Sequence, residues 1–194
     1  DYTFPEGLRT LDKRIQLTPY AFVNDLPRLK AYFVDGGMEA EQAASEFDLR
    51  IISRLTNRTL GWMHHSYRLI KGKNPCELMM HPDDAAARGI QADSLLKVTS
   101  RTGEIEIPVN ICEDIMPGVV CMPSHWGHGR KGTRQRVANA NPGVSLNDLT
   151  DVQGYDKLTN NAIVNGVPVK VSVVDKAGER DATHEDELVE EYVA

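Results

Sequence analysis

Between residues 47 and 174 the chain is cut into short apolar runs by turn residues, and that spacing limits the fold more than any other feature. Residues 49–53, 76–80 and 119–122 each read as a short strand, the last entered through the turn Pro117-Gly118. Residues 94–100 and 104–111 flank Arg101-Thr102-Gly103 as a hairpin, and the second arm alternates polar with apolar positions. A closing strand, or a pair of strands around Asn165-Gly166, is predicted over 162–174. One interval alone carries full helix punctuation, residues 81–89. Pro82 falls where a first turn tolerates proline, Asp83 and Asp84 where the helix dipole favours acids, and Gly89 at the stop. Strands and helices do not alternate, which argues against a doubly wound parallel sheet. The expected fold is mainly β with short helices, closed as a barrel.

The flanks read differently. Residues 1–46 form an irregular arm, extended over 3–18 with a turn or short helix near 19–29 and a polar linker or short helix after Asp35-Gly36-Gly37. Residues 175–194 carry the whole formal charge of -6, so the body balances acids against bases. Such a tail is expected to be solvated, or to form a short helix on a partner. The organisation predicted is therefore an arm (1–46), a barrel (47–174) and an acidic tail (175–194).

Within the balanced body, 49–76 and 115–147 contain no carboxylate, although 28 acids in 194 residues would put about nine in those windows. The first carries Arg50, Arg54, Arg58, Arg68, Lys71 and Lys73; the second carries Arg130, Lys131, Arg134 and Arg136. An acid there would repel phosphate and pair off the guanidiniums, so the pattern suits a surface facing a polyanion. Solvated charged faces are the plain alternative. Nucleic acid is a poor candidate for that polyanion, because the chain is acidic overall and only 6% aromatic. Cys76, Cys112 and Cys121 are widely spaced in apolar runs, without CxxC spacing, and read as buried free thiols of a cytoplasmic protein. No apolar run is long enough to span a bilayer and no signal-peptide pattern opens the chain, so no membrane partner is expected.

His64-His65 and His125-x-x-His128 invite a metal reading, but glycines flank the second pair and no carboxylate lies nearby to complete a shell; no metal site is predicted. Walker, GxGxxG and Gly-x-Ser-x-Gly motifs are absent, and no catalytic residue is assigned. The stretch after the first strand, Ser53-Arg54-x-Thr56-Asn57-Arg58-Thr59, sets guanidinium forks among hydroxyls and an amide. Those groups suit phosphate or a heterocycle edge, and suit a solvated loop equally.

The order of segments resembles one family. Ile51-Ile52-Ser53-Arg54, Arg58-Thr59 and Trp62-Met63-His64 resemble the opening of the molybdopterin dinucleotide-binding domain of the dimethyl sulfoxide reductase superfamily. His81-Pro82-Asp83-Asp84-Ala85 through Gly89-Ile90, with Asp93, Val98, Ser100-Arg101 and Gly103, is similar to its helix–strand core. Pro117-Gly118-Val119-Val120, Pro123 and His125-Trp126-Gly127 resemble its third block, and Asn147-Asp148-Leu149-Thr150 the loop that follows. Arg14-Ile15-Gln16-Leu17 is similar to the lead-in. The likeness covers about two thirds of the chain, 47–174; the first loop is one residue shorter than the common pattern, and 127–142 is a variable region.

That resemblance implies a six-stranded double-psi β-barrel binding a molybdopterin dinucleotide, commonly the guanine form, with molybdenum or tungsten held through the cofactor. Ser53, Arg54, Thr56, Arg58 and Thr59 would meet the pterin and pyrophosphate, His64 would also bind the cofactor, and Asp83 would lie near the base. His125, Trp126, Gly127, Asn147 and Asn165 would close over the cofactor. The implied partners are the remaining domains of a formate dehydrogenase- or nitrate reductase-like oxidoreductase; the isolated domain would self-associate through exposed apolar surface and have no redox activity alone. The alternative is a freestanding double-psi barrel acting as an interaction or chaperone module.

Overall fold

The computed structural model describes residues 3–38, 40, 45–55, 61–70, 76–132 and 134–174. Its centre is a closed barrel of six strands: β1 (Leu49–Arg54), β2 (Leu78–Met80), β3 (Leu95–Thr99), β4 (Glu104–Ile111), β5 (Val119–Pro123) and β6 (Val167–Val173). They neighbour one another in the order β1-β5-β2-β4-β3-β6. The pairs β1/β5 and β2/β4 are parallel and the other four antiparallel. Exchanging β1 with β4, β2 with β5 and β3 with β6 preserves every neighbour and every direction. This internal two-fold pattern is the double-psi arrangement.

Alternation builds the core. In β4 Ile105, Ile107 and Val109 point inward while Glu104, Glu106 and Pro108 face solvent. Leu49, Ile51, Leu78, Met80, Leu96, Val98, Val120, Met122 and Val169 fill the interior, each essentially without solvent exposure. Side chains of this size contribute about 1.5–3 kcal/mol each when fully buried. The three-residue β2 belongs to this core entirely, because it is paired on both sides.

Strand direction gives the barrel two distinct ends. Parallel β1 and β5 finish together at Arg54 and Pro123; there β6 begins after Asn165-Gly166, β2 begins after Cys76, and the β3–β4 hairpin turns. At the opposite end β2 runs into a helix, Pro82–Ala87, and β4 finishes at Ile111. That helix is a strut. Its Asp84 Oδ2 accepts the Gly118 N–H at 2.7 Å, while Arg88 reaches both Asp84 and Asp48. Gly89 ends the helix with φ of 64°, a left-handed conformation that glycine adopts without a Cβ penalty.

Of the two closing arrangements left open, the structure has the single strand, because Ala162 makes only an isolated bridge to Tyr155 and 161–165 stay exposed before β6. One expectation changes. The arm, expected to hold at most a short helix, carries the 14-residue helix Tyr20–Phe33. Pro27 sits inside it, at the cost of one backbone hydrogen bond. No residue of this helix is buried, and Phe22, Val23, Leu26 and Phe33 remain open to solvent.

The division between barrel and arm predicts opposite outcomes for one substitution. Leu96→Ala, at a position with 0% exposure, is expected to cost about 2–5 kcal/mol of unfolding free energy. Leu11→Ala, in the exposed arm, should stay within about 0.5 kcal/mol of the parent. Chemical denaturation measures both, and equal costs would contradict the core assignment.

Candidate functional site

The end where β1 and β5 finish gathers most of the predicted residues. Asn165, in the turn before β6, accepts two hydrogen bonds through Oδ1: from the Ser53 N–H at 2.7 Å and the Ser53 hydroxyl at 2.9 Å. One amide side chain thereby fixes the last turn of β1 to the start of β6, and Gly166 adds a backbone bond to the Ile51 carbonyl at 2.8 Å. On the other flank the Arg54 carbonyl accepts from the Ser124 N–H at 3.0 Å and its hydroxyl at 3.3 Å. The strand pairing therefore continues one step beyond the barrel, and Arg54 is held with its Nε buried.

The chain then bends sharply over this end. His125 has φ of 70°, a conformation costing a non-glycine residue about 1–2 kcal/mol. Its Nδ1 lies 2.9 Å from the Ser124 hydroxyl, which offsets part of that cost. Trp126 is buried, its ring edge-on to His64 at 4.3 Å between centroids. His64 is fully buried and also contacts His128 at 4.7 Å. Two glycines make this packing possible. A Cβ at Gly127 would lie 2.6 Å from the Ser145 Cβ, and one at Gly143 would lie 2.5 Å from the Trp126 ring and 2.8 Å from the Cys76 sulfur. The Pro142 carbonyl accepts from the N–H groups of Gly127 and His128, at 2.8 and 3.1 Å, closing the neck of the loop 127–142.

Asn147 joins the same end. Its N–H donates to the Ser145 hydroxyl at 3.3 Å, its carbonyl accepts from Thr150, and its side chain is exposed. The β3–β4 hairpin pins this segment: the Thr102 hydroxyl bonds the carbonyls of Leu149 and Thr150, and Arg101 pairs with Asp151. Gly103 lies so close to the Asp148 carbonyl that a Cβ would approach it to 2.4 Å.

Ser53, Arg54, His64, His125, Trp126, Gly127, Asn147 and Asn165 are thus brought to one end of the barrel. Asp83 is not among them: it sits in the strut helix at the far end, its side chain 83% exposed. Thr56, Arg58 and Thr59 lie outside the described residues. Ser124, His128 and Gly143 belong to the site although the sequence reading did not assign them. The signal for His128 was present in the His125-x-x-His128 pair, weighed there only as a metal motif.

Chemically the site end offers unspent hydrogen-bonding capacity, with Asp148, Asp151 and Glu104 each paired to a cation. The buried nitrogens Arg54 Nε, Trp126 Nε1 and His128 Nε2 have no hydrogen-bond partner among the described residues. Such orphans are costly unless a ligand or water meets them. Burial pushes the His128 imidazole below its usual value, with the nearby His65 adding to the effect and a hydrogen bond to the His125 carbonyl opposing it. The ring is therefore neutral near neutral pH. Burial also raises the thiols of Cys76 and Cys121, so neither is a ready nucleophile. Among the described residues no group of three or more His, Cys, Asp or Glu side chains is placed to hold a metal ion, and no helix is long and apolar enough to cross a membrane.

The family model for the "Molydopterin dinucleotide binding domain" matches residues 49–168, from the first residue of β1 into β6. The chain belongs to this family of molybdopterin dinucleotide-binding domains. Within it, the domain is 37% identical over 83 residues to the F420-dependent formate dehydrogenase subunit alpha of Methanocaldococcus jannaschii, covering 43% of this chain and 11% of that protein. It is 35% identical over 68 residues to the dimethyl sulfoxide/trimethylamine N-oxide reductase of Rhodobacter capsulatus, covering 35% of this chain and 8% of the relative. The chain therefore spans only a small part of these relatives' length. Among solved structures, acetylene hydratase from Pelobacter acetylenicus superposes with a TM-score of 0.55 at 12% identity, over 70% of this chain and 19% of that one. That likeness is one of fold.

The depressed His128 pKa fixes the sign of a pH dependence. Above the ordinary value of 6.5 the ring is neutral in both the folded and the unfolded chain, and stability is complete. As pH falls from there towards the lowered native value, the unfolded chain takes up a proton that the folded chain resists, so stability declines. His128→Gln should remove that part of the decline. Parallel stability curves for parent and variant between about pH 7 and about pH 5 would contradict the assignment.

Proposed function

We propose that this domain clamps the guanine form of a molybdopterin dinucleotide at the β1/β5 end of the barrel, as one part of a larger molybdenum or tungsten oxidoreductase. The observation carrying this reading is the set of buried nitrogens without a partner among the described residues, Arg54 Nε and Trp126 Nε1 among them, on the stretches 49–76 and 115–147 that contain no carboxylate. Guanidinium and indole N–H groups donate to phosphoryl and ring carbonyl oxygens, so the residues fit the cofactor. When bound, the cofactor supplies metal-centred two-electron chemistry. This chain's residues bind and orient it: Arg54 towards anionic oxygen, Asn165 by holding Ser53, and Trp126 with Gly127 by closing the loop above.

The relatives' names, a formate dehydrogenase subunit and a dimethyl sulfoxide/trimethylamine N-oxide reductase, support an oxidoreductase parent. Its remaining domains are the proposed partners, and the apolar helix Tyr20–Phe33, with no buried residue, supports such packing. Expressed alone, the chain would self-associate through that surface. Three free cysteines, two of them buried, support a reducing, cytoplasmic setting.

GDP serves as a stand-in for the nucleotide diphosphate half of the cofactor. By calorimetry, Arg54→Ala should weaken GDP binding by about 1.5–3 kcal/mol, the loss expected for a charge-assisted bond. Asp83→Ala, at the far end, should leave it unchanged. Wild-type affinity in the Arg54 variant would sink the assignment of this end as the nucleotide site.

A further inference from the structure

The loop 127–142 has a neck inside the site and a tip outside it. The neck is fixed by the two bonds to the Pro142 carbonyl and by Trp126 and His128 against His64. The tip carries Arg130, Lys131, Arg134 and Arg136, all exposed. Arg130 is paired with Asp148, whereas Lys131 and Arg134 make no ion pair or hydrogen bond with the described residues. Nothing in the fold accounts for two exposed cations on a loop whose base is anchored this firmly.

Their setting gives them a direction. The far end of the barrel is acidic: Asp48, Asp83, Asp93, Glu113 and Asp114 are exposed there, with Arg88 as the opposing base between Asp48 and Asp84. At the site end the acids of the pinning segment are already paired, Asp148 with Arg130 and Asp151 with Arg101. Of the other acids at this end, Glu77 before β2 is half-buried, Glu104 at the head of β4 is paired with Lys97, and Asp156 accepts from Leu158 and Thr159 in its own turn. The barrel is thus polarised along its length, with its positive pole at the loop tip. A nearly neutral body with its charges segregated in this way repels anions from one end and draws them to the other.

We propose that Lys131 and Arg134 form an electrostatic collector, which speeds capture of an anionic nucleotide ligand by the site end without contacting it once bound. This inference rests on reading that end as a dinucleotide site. Charges at a rim act mainly on association rate and its salt dependence, whereas groups that meet the bound ligand act on dissociation. The tip lies outside the anchored neck, so it belongs to the first class and Arg54 to the second.

Stopped-flow binding of GDP to the full chain separates these roles. Lys131→Glu with Arg134→Glu, both exposed and without a partner among the described residues, should lower the GDP association rate on the order of tenfold at low salt, with the difference vanishing at high salt. The dissociation rate should not change, nor should binding of uncharged guanosine. Arg54→Ala should instead raise the GDP dissociation rate. An association rate unchanged by the double reversal overturns the collector while leaving the site standing. A double reversal that speeds dissociation, or weakens guanosine equally, overturns it in favour of direct contact. A parent chain that binds neither GDP nor guanosine contradicts the nucleotide-site reading itself, and the collector with it.

Discussion

The parallel pairing of β1 with β5 is the constraint on which the rest of this molecule depends. Register from Arg50 opposite Val119 to Arg54 opposite Pro123 brings the ends of two strands far apart in sequence to one place. Everything at the site hangs from that junction. Asn165 holds one side through Ser53, Ser124 holds the other through the Arg54 carbonyl, and the chain turns over the top at His125. The loops that follow these two strand ends, towards β2 and towards β6, carry the site's chemistry. The two-fold pattern of the barrel makes a similar junction where β2 and β4 finish, but there the following residues are Pro82-Asp83-Asp84 and Glu113-Asp114. One architecture with two chemistries yields one end suited to anions and one that is not.

Around Trp126 the site is preorganised by small residues and aromatic rings. Gly127 and Gly143 let the backbone approach Trp126 and Ser145 more closely than any side chain would allow. The rings of Trp126, His64 and His128 then pack as a row. A charged cluster at this position would be self-satisfied. The neutral imidazole of His128 and the unpaired nitrogens of Arg54 and Trp126 leave hydrogen-bonding capacity unspent, which is what a binding domain requires and a purely structural core avoids.

Much of the barrel was legible in the sequence because period-two alternation marks a half-buried strand directly, as in β4, and because Pro82 and Gly89 punctuate the strut helix. Which strands become neighbours was not legible, since apolar runs record burial and not pairing. The consequence falls on Asp83. Its place in the family-like segment order suggested the cofactor, while the register of β2 against β4 and β5 sets it at the far end. His128 and Ser124 were missed for a related reason: their roles arise from contacts with Pro142 and Arg54, which no local motif encodes. The helix through Pro27 defied a local rule, and its unburied apolar side chains show that packing within the described residues does not explain it.

The most direct test is to map backbone amide shifts of the isotope-labelled chain on titration with GDP. The account predicts salt-sensitive shifts at Ser53, Arg54, residues 124–128 and Asn165, with residues 82–84 silent. Shifts confined to residues 82–84, with the β1/β5 end unmoved, would contradict it.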